Sequence, residues 1–220
     1  MSHEQHEFTV VDSELLLETP ILAMRRDRIV MPGGTVAPRE VVEHFGAVAI
    51  AAVDEHNRLA MIRQYRHSVA QRLLELPAGL LDIADEDPLI GAKRELHEEA
   101  GIKAQDWMVI ADVLNSPGYC DEVCRVYLAT GLTNVGRPAE SDDDEEADLS
   151  FEWVDLAEAR RMVVAGEILN SITISGVFAA SEVMSGRVQG RPADCSFDLR
   201  PTALPNRRKQ AGICPDMKKL

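Results

Sequence analysis

The most constraining feature of the sequence is a run of strong helix signals at residues 79–102, which reads GLLDIADEDPLIGAKRELHEEAGI. Asp87 followed by Pro88 predicts a helix N-terminus, because aspartate caps free amides and proline is tolerated at the first helical position. Gly101 predicts the end of the helix, since glycine readily adopts the left-handed backbone that follows many helices. The run therefore predicts one helix that ends at Ala100.

Three glutamates lie on one side of this predicted helix. Glu95 and Glu99 are four residues apart, and Glu98 lies beside them. Like charges at this spacing destabilise an isolated helix by about 0.3 kcal/mol per pair, and we expect Arg94 to point away from Glu95 and to neutralise only part of the charge. Such a row favours the hard cations Mg²⁺ or Mn²⁺, which take oxygen ligands. Taken alone, it is also typical of a solvated acidic face.

The remaining patterns predict an α+β fold with a mixed sheet, since strands outnumber helices. Near the N-terminus we expect two strands within the first thirty residues, closed by a turn at Pro32-Gly33-Gly34. The later predicted elements are strands at 41–53, 59–66, 107–113, 123–129 and 151–154 and helices at 156–165 and 172–184.

These elements divide the chain into three parts. We expect an N-terminal β-strand domain at residues 1–40 and a main domain at residues 41–200. The last part, residues 201–220, holds Pro201, Pro205 and several basic residues but little to bury. It is therefore expected to be a flexible tail.

Composition limits the classes of function. The 220 residues carry a net charge of −14, which argues against a nucleic-acid partner, because binding the phosphate backbone needs clustered Lys and Arg. A membrane span is not expected, since no apolar stretch reaches roughly 18 residues. Polar residues at the N-terminus and four scattered cysteines, too few for a disulfide framework or a zinc site, favour the cytoplasm. An acidic chain that binds phosphates needs divalent cations to reverse the local charge.

The helix run resembles the Nudix box. That box consists of glycine, a short gap, Glu, seven residues, Arg-Glu, an aliphatic, any residue, Glu-Glu, any residue, Gly and an aliphatic. The matching residues here are Gly79, Glu86, Arg94, Glu95, Leu96, Glu98, Glu99, Gly101 and Ile102. The gap from Gly79 to Glu86 is six residues rather than the usual five, so Asp85 competes for the outer acidic position. The resemblance covers residues 8–200 and implies an α/β/α sandwich with a mixed sheet, plus a small N-terminal antiparallel sheet.

The resemblance also implies a metal site. Glu95, Glu98 and Glu99 would bind Mg²⁺ or Mn²⁺, and the backbone carbonyl of Ala78 would bind one of the ions. Glu98 would share the metal cluster and so count among the catalytic residues. Arg94 would orient the carboxylates through charge-assisted hydrogen bonds, while Glu86 would be structural or lie in the outer part of the site.

Further segments are similar to the ADP-ribose pyrophosphatase subgroup. Pro117 lies 16 residues after Gly101, where a proline marks that subgroup, and residues 63–66 and 75–79 also look like it. The implied reaction is attack of water on the pyrophosphate of ADP-ribose, which releases AMP and ribose 5-phosphate. The general base would be a loop glutamate after the box helix, Glu146 with Glu145 close behind; taken alone, an acidic loop is usually just solvated.

The resemblance implies further substrate contacts, each with a plainer alternative. Arg63 and Arg66 would meet phosphate or the terminal ribose, or they are ordinary exposed arginines. Glu75 would accept a hydrogen bond from adenine or ribose. In a homodimer that exchanges its N-terminal strands, Arg25 and Arg26 would reach the partner's adenine pocket; a salt-bridged surface pair is the equal alternative.

Two other functions stay open. The first is a Nudix hydrolase for another nucleoside diphosphate derivative, such as a sugar nucleotide or a dinucleoside polyphosphate. The second is a nucleotide-binding Nudix module without catalysis. Such modules commonly lack box glutamates, whereas Glu95, Glu98 and Glu99 are all present here.

Overall fold

The structure, a computed structural model, describes residues 6–138 and 148–219. Its strands are β1 (Val10–Glu18), β2 (Ala23–Val30), β3 (Val36–Glu43), β4 (Ala47–Ala52), β5 (Arg58–Arg66), β6 (Gln71–Glu75), β7 (Ala78–Leu80), β8 (Ile102–Leu114), β9 (Val123–Asn134), β10 (Ser150–Asp155) and β11 (Arg191–Pro192). Its helices are α1 (Pro88–Ala100), α2 (Leu156–Val164), α3 (Ser171–Met184) and α4 (Ala203–Gln210), with a 3₁₀ turn at His67–Val69. Within this described part, no helix is long and apolar enough to cross a bilayer.

The N-terminal sheet is antiparallel and has the strand order β1-β2-β3. The sequence predicts two strands here, and the structure adds β3 after the turn at residues 32–34. Pro38 interrupts the strand pattern of β3 because it has no amide to donate. The sheet tolerates it, since β3 lies at an edge of the sheet.

The core is built around β4, in which all six residues are buried. Its side chains alternate between two apolar clusters: Ala49 joins the cluster packed with α3, and Ile50 joins the cluster packed with α1. β4 runs parallel to β9 and antiparallel to β7. The expected mixed sheet, sandwiched between helices, is therefore confirmed, and the continuous apolar run of β4 reflects burial on both faces.

Helix α1 begins and ends where the sequence predicts. The side chain of Asp87 accepts a hydrogen bond from the amide of Leu89 at 2.8 Å, and Gly101 ends the helix at a φ of +68°. A β-carbon at Gly101 would also lie 2.7 Å from the carbonyl carbon of Gly136. Glycine is therefore required here both for its backbone angle and for the close approach of the next segment.

The C-terminal part of the chain corrects an expectation. Residues 201–220 were expected to form a flexible tail, but Ala203–Gln210 forms α4, and Leu204 and Met217 are buried against Ala23 and Phe45. The side chain of Arg208 is also fully buried and pairs with Glu18 at 2.9 Å. Buried contacts far away in the chain therefore order a segment that is mostly polar in composition.

Candidate metal and active site

Strand β7 is the platform of the candidate site. It pairs with β4, and the amide of Ile50 donates to the carbonyl of Pro77 at 2.8 Å. Just upstream, the amide of Leu76 donates to the hydroxyl of Thr173 on α3 at 3.1 Å. The backbone that leads into Gly79 is therefore held both by strand β4 and by helix α3.

Two contacts dock the acidic face of α1 on the backbone of β7. The carboxylate of Glu95 lies directly over Gly79, where an added β-carbon would meet its atoms at 2.0–2.4 Å. The Oε2 atom of Glu99 accepts a hydrogen bond from the amide of Ala78 at 2.8 Å. The site depends on glycine at position 79, because a side chain there would take the space of the Glu95 carboxylate.

Arg94 draws the acidic side chains together. Its Nη1 atom donates to Glu95 at 2.7 Å and to Glu98 at 2.8 Å, and its Nε atom donates to Glu86 at 3.2 Å. The expectation that Arg94 points away from Glu95 is therefore wrong. Neighbouring helical residues project in different directions, but the long arginine side chain folds back, because charge-assisted hydrogen bonds to three carboxylates stabilise its half-buried guanidinium.

The longer gap before Glu86 does not displace it from the box helix. Its carboxylate lies against Gly91, where an added β-carbon would be 2.9 Å from Oε2. Asp85 instead adopts a φ of +61° and turns outward to pair with Lys209 at 2.5 Å. The left-handed backbone at Asp85 thus accommodates the additional residue, and Glu86 contacts the box helix.

The electrostatics of the cluster centre on Glu95. Burial is the main reason that the pKa of Glu95 rises to about 7; Glu98 and Asp82 act in the same direction, while Arg94 opposes them. Arg94 therefore does not fully offset the effect of burial on Glu95. A divalent cation beside these groups would favour the ionised carboxylate.

The donor atoms suit a hard divalent cation in their chemistry. Carboxylate oxygens are the ligands that Mg²⁺ and Mn²⁺ prefer, and Glu95, Glu98 and Glu99 supply them. Among residues 6–138 and 148–219, however, no three His, Cys, Asp or Glu side chains converge on one point. Instead, Glu95 and Glu98 accept hydrogen bonds from Arg94, and Glu99 accepts one from the amide of Ala78.

A second polar cluster forms around Glu75, which is only 2% exposed. Its carboxylate accepts hydrogen bonds from Arg66 at 2.6 Å and from the side chain of Asn170 at 2.9 Å. Asn170 also caps α3 by accepting from the amide of Thr173. Sequence reasoning missed Asn170, although an asparagine just before a predicted helix is a recognised cap signal.

The other predicted substrate-binding arginines have carboxylate partners within the chain. Arg63 pairs with Glu152 at 3.0 Å across the neighbouring strands β5 and β10. Arg26 pairs with Glu40 at 2.8 Å on the surface of the N-terminal sheet. Within one chain, the contacts of Arg63 and Arg26 are those of surface ion pairs.

Arg25 belongs to a more buried network than the surface pair that was the equal alternative for it. It binds Asp27 at 2.9 Å and Glu43 at 2.5 Å, and Glu43 also binds Arg207 of α4. Both carboxylates are buried. Glu43, which Arg25 binds within the N-terminal sheet, therefore ties that sheet to the C-terminal helix.

Pro117 lies in a turn in which the amides of Tyr119 and Cys120 both donate to the carbonyl of Ser116. The turn pairs with β3 through the amide of Val42, which donates to the carbonyl of Tyr119 at 2.7 Å. Residue 115 in turn contacts the start of α3 through Ser171. The Pro117 turn thus adjoins both the N-terminal sheet and the end of α3 that carries Asn170.

The two predicted base residues, Glu145 and Glu146, lie outside the described residues.

Comparison with known proteins identifies the family. Residues 42–169 match the family model of the NUDIX domain, which is more than half of the chain, and residues 8–42 match that of the nucleoside diphosphate sugar hydrolase N-terminal domain. The chain belongs to the Nudix family. The family boundary at residue 42 falls within β3, close to the boundary expected between residues 40 and 41.

Relatives of this Nudix chain carry different names. It is 51% identical over 206 residues to an ADP-ribose pyrophosphatase of Mycobacterium tuberculosis, which covers 94% of this chain and 99% of the relative. It is 33% identical over 167 residues to a methanol dehydrogenase activator of Bacillus methanolicus, covering 76% and 89% of the two chains. A crystal structure of an ADP compounds hydrolase superposes with a TM-score of 0.72 at 20% identity, covering 84% of this chain and 98% of that one, which confirms the fold.

Proposed function

We propose that this Nudix chain hydrolyses ADP-ribose to AMP and ribose 5-phosphate with Mg²⁺ or Mn²⁺ as cofactor. The observation that carries the proposal is the docking of the acidic face of α1 on β7, with Glu95 over Gly79 and Glu99 on the amide of Ala78. The 51% identity to a protein named ADP-ribose pyrophosphatase supports the choice of substrate.

The metal would be held by Glu95, Glu98 and Glu99, with the backbone carbonyl of Ala78 as a further ligand. When bound, the cation polarises phosphoryl oxygens and lowers the pKa of water. Arg94 keeps the carboxylates of Glu95 and Glu98 in one place through its hydrogen bonds to them. The bound cation would then offset the repulsion between an acidic protein and a pyrophosphate.

Glu146, with Glu145 as the second candidate, would be the general base. The carboxylate takes a proton from water while the water oxygen attacks one phosphorus of the pyrophosphate. The bond from that phosphorus to the bridging oxygen breaks, and the bridging oxygen leaves with the other phosphate. The products are AMP and ribose 5-phosphate, so atoms and charges balance with water as the second substrate.

Arg63, Arg66 and Glu75 would contact the substrate. Glu75 is the buried member, and its carboxylate, which also accepts a hydrogen bond from Asn170, orients Arg66 at the end of β5. Because Arg66 is partly exposed and held by this buried carboxylate, it would present a pre-positioned guanidinium to phosphate or ribose. Pro117 would shape the neighbouring turn.

We also propose a homodimer formed through the N-terminal sheet. β1 is an edge strand, and five of its apolar side chains are exposed: Val10, Val11, Leu15, Leu16 and Leu17. Exposed apolar edge strands readily pair with another chain, and Arg25 and Arg26 of β2 would then approach the partner's site. Light scattering at micromolar concentration should give twice the mass of one chain; a monomer would contradict the proposal.

A cytoplasmic location is the corresponding proposal for the cell. The four cysteines, Cys120, Cys124, Cys195 and Cys214, all carry free thiols. Free thiols are typical of reducing compartments.

A panel of substrates tests the proposed function. ADP-ribose, a sugar nucleotide and a dinucleoside polyphosphate are incubated with Mg²⁺ and, separately, with a chelator, and products are identified by mass. We expect AMP and ribose 5-phosphate to form fastest, and no turnover after chelation. Faster release from another compound would overturn the substrate, and tight ADP-ribose binding without turnover in Mg²⁺ would indicate a binding module.

A further inference from the structure

The C-terminal segment, residues 203–219, packs on the loop that leads into the metal-site helix. This box loop, residues 81–86, joins β7, which carries Gly79, to α1, which carries Glu95. The two family matches cover residues 8–42 and 42–169, so the C-terminal segment lies outside both. A segment that fixes the box loop also fixes how the strand and the helix of the site lie against each other.

Backbone hydrogen bonds join the two segments. The amide of Ala84 donates to the carbonyl of Pro215 at 2.8 Å, and the amide of Met217 donates to the carbonyl of Asp82 at 2.9 Å. Between them, Ile83 and Asp216 form an antiparallel bridge. The C-terminal segment therefore adds a short strand-like ladder to a loop that otherwise has no regular structure.

An ion pair reinforces this ladder. The ammonium of Lys218 lies 2.7 Å from the carboxylate of Asp82, which is only 4% exposed. Burial lowers the pKa of Lys218, but Asp82 raises it, and the charges of Asp216 and Glu95 add to that effect, so the pKa is raised on balance. Because a buried carboxylate is costly without a cation, removal of Lys218 would release the loop from this position.

The C-terminal segment is in turn anchored to the body of the protein. Leu204 and Met217 pack with Ala23 and Phe45, and Ala84 of the box loop contacts the same cluster. The segment thus has a fixed base from which Lys218 reaches the box loop.

We propose that Lys218 is a positioning residue of the metal site, which holds the box loop so that the carboxylate of Glu95 stays over Gly79. The inference rests on the proposed function only in assuming that the Glu95 cluster binds a divalent cation. It assigns the C-terminal segment a role in the affinity for that cation.

Hydrogen exchange of the metal-free protein tests the attachment. In the wild-type protein the amides of Ala84 and Met217 should exchange at similar rates, since they belong to one ladder. Lys218→Met should speed the exchange of both. Lys219→Met should not, because its 80% exposed lysine makes only a weak surface pair with Asp216 at 3.4 Å. Widely different wild-type rates, or unchanged rates in Lys218→Met, would overturn the proposal.

Binding of Mn²⁺ alone, followed by calorimetry, tests the positioning role. Lys218→Met should raise the Kd for Mn²⁺ about tenfold, as expected when a group that orients metal ligands is lost. Lys218→Arg should restore most of the affinity, and Lys219→Met should leave it unchanged. Unchanged or tighter Mn²⁺ binding in Lys218→Met would overturn the proposal. Because no substrate is present, these results can be interpreted even if ADP-ribose is not hydrolysed.

Discussion

At the scale of single residues, the site depends on the lack of a side chain at Gly79. The absence of a side chain at Gly79 lets the Glu95 carboxylate lie on the strand, and Glu99 then reaches the amide of Ala78. Glu99 is only 6% exposed. Glu95 and Glu99 therefore form part of a packed junction between helix and strand, unlike the solvated acidic face that was the simpler interpretation of the sequence, while Glu98 is held through Arg94.

Replacement of Gly79 by alanine separates folding from activity. The added methyl would meet the end of a flexible glutamate side chain, which can move, so we expect the free energy of unfolding to change by no more than about 1 kcal/mol. Metal-dependent turnover should fall at least about tenfold, because Glu95 loses its position. Gly33→Ala is the matched control, since nothing lies within 4 Å of its added β-carbon. Normal turnover in Gly79→Ala would contradict this account.

The identity of the general base is decided by single substitutions at two adjacent positions. We expect Glu146→Gln to lower kcat about a hundredfold, the typical contribution of a general base. The KM should remain near normal, because the residue acts on water rather than on the bound substrate. Steady-state kinetics measure kcat and KM for both variants, and Glu145→Gln is the control for Glu146→Gln. If neither substitution slows turnover, the base lies elsewhere.

At the scale of elements, the start of α3 links the fold to the substrate-binding candidates. Asn170 caps the helix and also binds Glu75, and Thr173 in the first turn holds the amide of Leu76. One helix terminus therefore fixes both the Glu75–Arg66 pair and the backbone that enters β7.

Two helix caps make a matched comparison. Asn170→Ala loses a cap and also a hydrogen bond to the buried charge of Glu75, so we expect a loss of about 2 kcal/mol in the free energy of unfolding. Asp155→Ala loses only the cap of α2, with an expected cost of about 1 kcal/mol. Urea denaturation measures both. An equal or smaller loss for Asn170→Ala would show that its contact with Glu75 contributes nothing.

The elements that the sequence predicts best are those with local signals. The ends of α1 follow from Asp87, Pro88 and Gly101, whose effects act within one turn. By contrast, β3 contains a proline that only its edge position makes acceptable, and α4 is stabilised by residues far away in the chain. Local patterns do not carry such long-range contacts.

The same distinction applies to the site. The box spacing picks out Glu95, Glu98 and Glu99 as candidate metal ligands, and helical periodicity places them on one side of α1. It does not reveal that Arg94 folds back onto them, or that Lys218 reaches Asp82 from the end of the chain. Those contacts depend on burial and on tertiary packing, which spacing alone leaves undetermined.

At the scale of the whole molecule, one buried carboxylate joins three parts of the chain. Glu43, at the end of β3, binds Arg25 of the N-terminal sheet and Arg207 of α4. Burial alone raises the pKa of Glu43, but hydrogen bonds to Arg207 and Arg25 lower it on balance. The ionised form of Glu43 therefore stabilises the folded chain.

This linkage predicts how stability depends on pH. A carboxyl whose pKa is lower in the folded than in the unfolded chain stabilises the fold above its unfolded pKa, and that stability is lost as pH falls through the folded pKa. Thermal unfolding should therefore show wild-type protein losing its advantage over Glu43→Gln between about pH 5 and about pH 3. Glu40→Gln removes an exposed partner of Arg26 and should differ little from wild type at any pH. Parallel pH curves for wild type and Glu43→Gln would contradict the linkage.

The most direct test of the central claim is a Mn²⁺ titration of chelator-treated protein, followed by electron paramagnetic resonance. Wild-type protein should bind Mn²⁺. Glu99→Gln keeps an oxygen that can accept from the amide of Ala78, so it should fold normally and bind Mn²⁺ at least about tenfold more weakly. Equal Mn²⁺ affinity in the two proteins would contradict the assignment of the α1 glutamates as metal ligands.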